Sequence, residues 1–263
     1  MNDCTHDGQA RRLPYVFPQA ATIHSTESRD MLARILEPEV MDTAAEASDY
    51  NSMDHSAVNR VFVDDLLSAA VTVPKSSCGT WQIFDAGTGT ALIPLELTSR
   101  SIAVTITASD LAEQMLIVAR ANVQAAGLAD SIRLTSSDCK QLPEDDATYD
   151  IVMSNSIVHH IPEPLSVLRE LWRVLKPGGL LFVRDLLRPD DLATLDQLVR
   201  AYAGDANAHQ QQMFRDSLHA ALTVRDVSDL LATVGIRAEA VRATSDRHWT
   251  VATRKPAPHV SPV

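Results

Sequence analysis

The stretch Trp81-Gln82-Ile83-Phe84-Asp85-Ala86-Gly87-Thr88-Gly89-Thr90-Ala91 decides how the rest of the chain is read. Its first four residues form a short apolar run of the kind that makes a buried strand. Gly87 and Gly89 then allow a tight turn, and the helix expected after it presents unpaired N–H groups to an anionic or carboxylate ligand. Glycines so spaced also occur in ordinary strand-to-helix turns, so the motif alone is weak. Asp110 strengthens it. Placed at the end of the next apolar run, about 20 residues on, a carboxylate can accept hydrogen bonds from both hydroxyls of a ribose. It can equally cap the helix that starts near Leu111, and the two roles are compatible.

Further apolar runs alternate with stretches of helical period. Trp81 to Phe84, Ile102 to Thr107, Ile132 to Leu134, Tyr149 to Met153 and Leu180 to Val183 read as strands. Between the second and third, Met115, Val118, Ala119, Val123 and Ala126 line one helix face. Leu165, Leu168, Leu171, Trp172 and Leu175 do the same before Lys176-Pro177-Gly178-Gly179, which stops the helix. Strands and helices in alternation predict an α/β fold with a parallel sheet. After a helix over Val224 to Val234, two β-like runs, Ala238 to Val241 and His248 to Ala252, lie too close for a crossover and predict a hairpin.

Four segments flank or interrupt this pattern. Residues 1–30 are polar and aperiodic and read as a poorly ordered leader. Residues 31–78 read as an N-terminal helical cap, with Val63, Leu66, Leu67 and Ala70 on one face. Residues 189–222 are helical, polar and too long for a simple connection, hence an insertion near the active-site face. Residues 256–263 form a tail after a main domain of residues 79–255.

Composition narrows the partners. The 263 residues carry a formal net charge of −11, which repels phosphate backbones and sets nucleic acids well below small molecules. No apolar run suits a signal peptide or a membrane span, so a soluble, cytoplasmic protein is expected. Three cysteines, Cys4, Cys78 and Cys139, are too few and scattered for a disulfide framework or a four-ligand zinc site, and no metal ligands are assigned. Oligomeric state is not legible.

A nucleoside ligand leaves NAD and S-adenosylmethionine (SAM) to be separated, and the later landmarks do so. Asp85 stands two residues before the first glycine. Asp138-Cys139 with Leu142-Pro143, then Tyr149-Asp150-Ile151-Val152-Met153-Ser154-Asn155, then Leu171-Trp172-Arg173-Val174-Leu175-Lys176-Pro177-Gly178-Gly179 follow in order. In this series the chain resembles the class I SAM-dependent methyltransferases over roughly Thr80 to Thr253. One departure is Ala91, where many members have a third glycine. The resemblance implies a Rossmann-like, seven-stranded, mostly parallel sheet with an antiparallel last strand and helices on both faces. It implies SAM as cofactor, with Asp85, Gly87, Thr88 and Gly89 near its methionine part and Asp110 with Leu111 near the ribose. Asp138 and Cys139 fall near the adenine, and Asn155 beside the methyl donor. An NAD(P)-dependent oxidoreductase and a non-catalytic SAM-binding protein are the alternatives.

Methyl transfer from a sulfonium rests mainly on in-line positioning of the acceptor, with a general base where the acceptor needs one. Ser154-Asn155-Ser156-Ile157 lacks the Asn/Asp-Pro-Pro-aromatic signature of enzymes acting on nucleobase or glutamine amino groups, and arsenite chemistry would need several cooperating cysteines. A small-molecule acceptor is therefore expected. His160 is the candidate base, with His159 beside it. Tyr50 and His55, in the polar stretch that also holds Asp54, are candidates for lining the acceptor site. Arg184, Arg188 and Arg215 are candidates for binding an acceptor carboxylate or phosphate, against the plainer reading of ion pairs.

Overall fold

The computed structural model describes residues 32–40 and 42–257. The leader expected over residues 1–30 and most of the tail lie outside them. Seven strands form one sheet in the order β3-β2-β1-β4-β5-β7-β6. They are β1 (Trp81–Ala86), β2 (Val104–Asp110), β3 (Ile132–Ser136), β4 (Tyr149–Asn155), β5 (Leu175–Leu186), β6 (Val241–Ala243) and β7 (His248–Arg254). The first five are parallel, and β7 runs antiparallel to both β5 and β6. This is the sheet the resemblance implied, and its C-terminal hairpin is the one read from the sequence. Ala238–Ala240, expected inside the hairpin, forms a single 3-10 turn instead.

Residues alternate between two cores because successive side chains in a strand point to opposite faces. Ile83, Ile151 and Met153 face one helical layer, while Phe84, Ala86 and Val152 face the other. The first layer holds α2 (Ser56–Ala70), α3 (Leu92–Thr98) and α4 (Glu113–Ala125); the second holds α5 (Pro164–Val174) and α8 (Val224–Val234).

Helix α2 departs from the cap expected over residues 31–78. Phe62, Val63, Leu66 and Ala70 are fully or almost fully buried against strand residues, and Phe62 meets Phe182 of β5 edge-to-face with ring centroids 5.1 Å apart. A helix that loses this much apolar surface to the sheet is part of the main packing. α1 (Ala44–Ser52) lies outside that packing, with Ala47 against Ala112 and Met115. Thr43 and Glu46 close a capping box at its start, and Asn51 accepts a hydrogen bond from Asn122 of α4 at 2.9 Å. The insertion consists of α6 (Leu192–Ala203) and α7 (Ala208–Ala220), which share a small core of their own around Leu195, Leu198 and Leu218.

The Lys-Pro-Gly-Gly run is the first part of β5 and not a turn ahead of it. A side chain at Gly179 would come within 2.7 Å of the Asp150 carbonyl, so the strands can close only over glycine. Asp150 itself accepts from Lys176 Nζ and from the Gln82 amide, both at 2.8 Å, tying β4 to both neighbours. Among the described residues, no helix is long and apolar enough to cross a membrane.

Candidate functional site

The carboxyl ends of β1 and β4 lie side by side, with Ala86 opposite Ser154, at the place where the chain turns from building one half of the sheet to the other. Such a switch point leaves a crevice, because the connections on its two sides run in opposite directions. Here it widens into a cleft of about 950 Å3, walled by residues from 39–40 and 50–65, the insertion and the loops after β1, β2, β3, β4 and β6.

At one end the turn after β1 is held by its own chain. The Gly87 and Thr88 amides donate to Ser109 O at 2.8 and 2.9 Å, and the Gly89 amide donates to Asp110 Oδ2 at 2.7 Å. These donors, expected to face a ligand, are already occupied. Gly87 (φ +70°) needs to be glycine for packing, since a Cβ there would overlap Ile157. Ala91 adopts φ +64°, a left-handed conformation that costs an alanine about 1 kcal/mol, so the absent third glycine is felt as strain.

What remains free is acidic. Asp85 is 2% exposed, and its Oδ2 has no hydrogen-bond partner among the described residues. Burial, with the nearby charge of Asp110, pushes its carboxyl up to about 7, although the Thr88 hydroxyl works the other way. Asp110 Oδ1 accepts the Ala112 amide at 2.9 Å, so this residue does cap α4 while its carboxylate lines the cleft. Burial raises Asp110 as well. Tyr50 packs over Gly89, and a Cβ on that glycine would sit 3.7 Å from the tyrosine ring. The ring also stacks on His55 with centroids 4.6 Å apart. Leu111, Asp138, Cys139 and Asn155 line the cleft too. Burial pushes the Cys139 thiol up to about 12 and keeps it neutral. Asp138 faces Lys140, which also pairs with Glu39.

At the other end His159 and His160 sit in a 3-10 turn after β4. His159 Nδ1 lies 2.5 Å from Asp185 Oδ1, and Asp185 Oδ2 accepts the amides of Val158 and His159 at 2.6 and 3.1 Å. Burial opposes charge on His159, but Asp185 and then Glu37 outweigh it and raise its pKa. Burial and the neighbouring His159 charge drop His160 to about 3. A base that weak takes little of a proton at neutral pH, which works against the role expected for His160. Glu37 Oε1 approaches both rings, 3.4 Å from His159 Nε2 and 3.2 Å from His160 Nδ1. Glu37 carried no signal in the sequence: it lies in an aperiodic segment more than 100 residues from either histidine.

The three arginines separate. Arg184 lines the cleft, but its Nη2 pairs with Asp65 at 2.6 Å and its Nε donates to Thr250 Oγ1 at 2.9 Å. Arg188 points into a different, shallow depression, pairing with Asp226 at 3.0 Å and donating to Ala221 O at 3.0 Å. Arg215 pairs with Asp196 between the two insertion helices and does not line the cleft. The plainer reading, ion pairing, accounts for all three.

Comparison with known proteins follows this geometry. Residues 84–183 match a family described as a methyltransferase domain. A methyltransferase of Streptomyces halstedii, GfsG, is 31% identical over 116 residues, 43% of this chain and 41% of that protein. A demethylmenaquinone methyltransferase of Deinococcus radiodurans is 36% identical over 108 residues, 41% of this chain and 44% of that one. The matched stretches thus span less than half of these two relatives. The solved structure of a SAM-dependent methyltransferase from Aquifex aeolicus shares the fold, with a TM-score of 0.58 at 20% identity, over 80% of this chain and 97% of that one.

Proposed function

Since the chain carries a class I SAM-dependent methyltransferase domain, we propose that it transfers a methyl group from SAM to a small, largely apolar acceptor held in the same cleft. The observation that carries this reading is the buried Oδ2 of Asp85 in β1, unpartnered among the described residues, two residues before Gly87, which lines a cleft of about 950 Å3. An unsatisfied buried acceptor is costly unless a donor group arrives to meet it. The cofactor's ammonium is such a donor, and its charge suits an acidic pocket.

On this reading Asp85 and Thr88 hold the amino-acid end, Asp110 and Leu111 the ribose, and Asp138 with Cys139 the adenine. The neutral Cys139 thiol offers an apolar contact and not a charge. Asn155, which also lines the cleft, stands beside the methyl donor on this reading. SAM supplies an activated methyl on sulfur, which needs no covalent help from the protein. The chain's own work is positioning and exclusion of water: Tyr50 and His55 close one side, and Met53, Ile157, Ile161, Met213 and Phe214 offer apolar surface to the acceptor. His159 and His160 are the polar groups at that end. This pairing suits an acceptor with an apolar body and a hydroxyl or similar group. The matched relatives, which include a demethylmenaquinone methyltransferase, are in keeping with a small-molecule acceptor. Arg188 and Arg215 are left out of the acceptor site.

The NAD(P) alternative loses its footing on the reversed last strand and the family match. Calorimetry with SAM and with NAD(H) tests the donor. Micromolar SAM binding, weakened at least tenfold in Asp110→Ala, is expected; NAD(H) binding without SAM binding would overturn the reading. Release of S-adenosylhomocysteine on incubation with a panel of hydroxylated aromatic compounds tests the acceptor class.

A further inference from the structure

We propose that Glu37, His159 and His160 form a binding site for one divalent transition-metal ion, zinc before others, at the acceptor end of the cleft. One ligand atom from each residue lies within 4.8 Å of the other two. Glu37 Oε1 stands 3.4 Å from His159 Nε2 and 3.2 Å from His160 Nδ1. For zinc bonds of about 2.0–2.1 Å, the edge of a tetrahedron is about 3.3 Å, so both separations are those of ligands sharing one ion.

The surroundings are those of a ligand set and not of a chance cluster. Asp185 engages His159 Nδ1, which leaves the Nε2 lone pair toward Glu37; a carboxylate behind a ligating imidazole is the usual outer support of a metal site. Glu37 Oε2 accepts from Ser217 Oγ at 3.2 Å, fixing the carboxylate. Glu37 Oε1 and His160 Nδ1 are shielded from solvent and have no hydrogen-bond partner among the described residues. Lone pairs turned toward one another without water or a donor are unfavourable, and a cation between them removes the penalty. Two imidazoles and one carboxylate are a set that holds zinc with a fourth position open. They also hold iron(II), but in a wider coordination shell, and the tetrahedral edge favours zinc. Both histidines line the cleft, so the open position is available to an oxygen of the acceptor or to water. The competing occupant is a proton. A doubly protonated His159 would satisfy Glu37 and Asp185, and a neutral His160 with its proton on Nδ1 would face Glu37 Oε1 at 3.2 Å; the metal titration separates the two occupants.

The site stands independently of the methyl-transfer reading, and its test can fail separately. Full-length protein stripped with a chelator would be titrated with Co2+, read by its visible absorption, and with Zn2+, read by elemental analysis after dialysis. One ion per chain is expected, with the intense cobalt spectrum of four-coordination. Glu37→Gln, close to isosteric, and His160→Ala should weaken binding at least tenfold, and Arg215→Ala should leave it unchanged. Substoichiometric zinc and a weak six-coordinate cobalt spectrum in the unaltered protein would overturn the proposal, whatever the variants do. Undiminished binding in a folded Glu37→Gln variant would overturn it too, as would a doubly protonated His159 in nitrogen NMR spectra of zinc-saturated protein. SAM calorimetry on the same samples reports the donor site separately.

Discussion

Asp110 Oδ2 accepts the amide hydrogen of Gly89 at 2.7 Å, so the acid that ends β2 also fixes the turn that follows β1. Its other oxygen holds the start of α4. Asp110→Ala should therefore lose both ligand and fold contacts: SAM affinity falls at least tenfold, and stability falls by about 2 kcal/mol. Asp110→Asn, which keeps an acceptor oxygen, should recover part of the stability. Calorimetry and urea unfolding on the two variants check this.

Asp85 gives a pH dependence of defined sign. Its carboxyl stands at about 7 in the folded chain, against 3.8 as the ordinary value. The folded state thus binds the proton more tightly than the unfolded one, and this group's contribution to stability declines as pH rises from about 4 to 7. Asp85→Asn, which cannot ionise, should be more stable than the parent at pH 8 and show little difference at pH 4. SAM affinity should run the other way in the parent, rising as pH passes 7 because the ammonium prefers the carboxylate. Equal melting temperatures of parent and variant at pH 8 would contradict the assignment.

Gly87→Ala places a methyl group where Ile157 already sits. Overpacking of this kind costs about 1–3 kcal/mol, and the positive φ adds about 1 kcal/mol. Ile157→Ala in the same chain should relieve the first cost and leave the second. A double-mutant cycle in denaturant gives the coupling directly, and additive losses would show that the overlap is not what excludes alanine.

Arg188→Ala should separate the depression from the cleft. Losing the Asp226 pair and the Ala221 carbonyl bond costs about 1 kcal/mol of stability. Acceptor and SAM affinities should stay within twofold. A specific loss of acceptor affinity would return Arg188 to the site.

The sheet was readable because β1, β2, β4 and β5 each hold an apolar run buried on both faces, whereas β3, at the end of the strand order, is mostly half-buried and offers only Ile132 and Leu134. The proposed donor end was legible as a cluster for a related reason: Asp85, Gly87, Gly89 and Asp110 lie at fixed distances from strand ends, and strand ends converge at a switch point. Which amides stay free was not readable, since Ser109 O meets Gly87 and Thr88 only once β1 and β2 are paired. The acceptor end was harder. Arg184 and Arg188 flank Asp185 alike in sequence, yet one enters the cleft and the other turns to α8, because β5 stops between them at Leu186. Glu37 meets its histidines through the packing of a segment that has no periodicity of its own. The helical character of residues 56–70 was legible, but its attachment was not: an amphipathic face looks the same whether it closes over a ligand or covers a sheet.

The chain over residues 37–40 and 42–55 touches the cleft at widely separated points. Glu37 reaches His159 and His160, Glu39 pairs with Lys140 beside Asp138, and Tyr50 lies over Gly89. A donor placed in this cleft as proposed would not leave by a single side-chain rotation; several dissimilar contacts would have to let go together. Its residence time on the protein is then governed by the weakest simultaneous detachment of those contacts. With the donor placed as proposed, raising salt should loosen the Glu39–Lys140 anchor and leave the Tyr50 contact unchanged, and so should speed the exchange of spent cofactor.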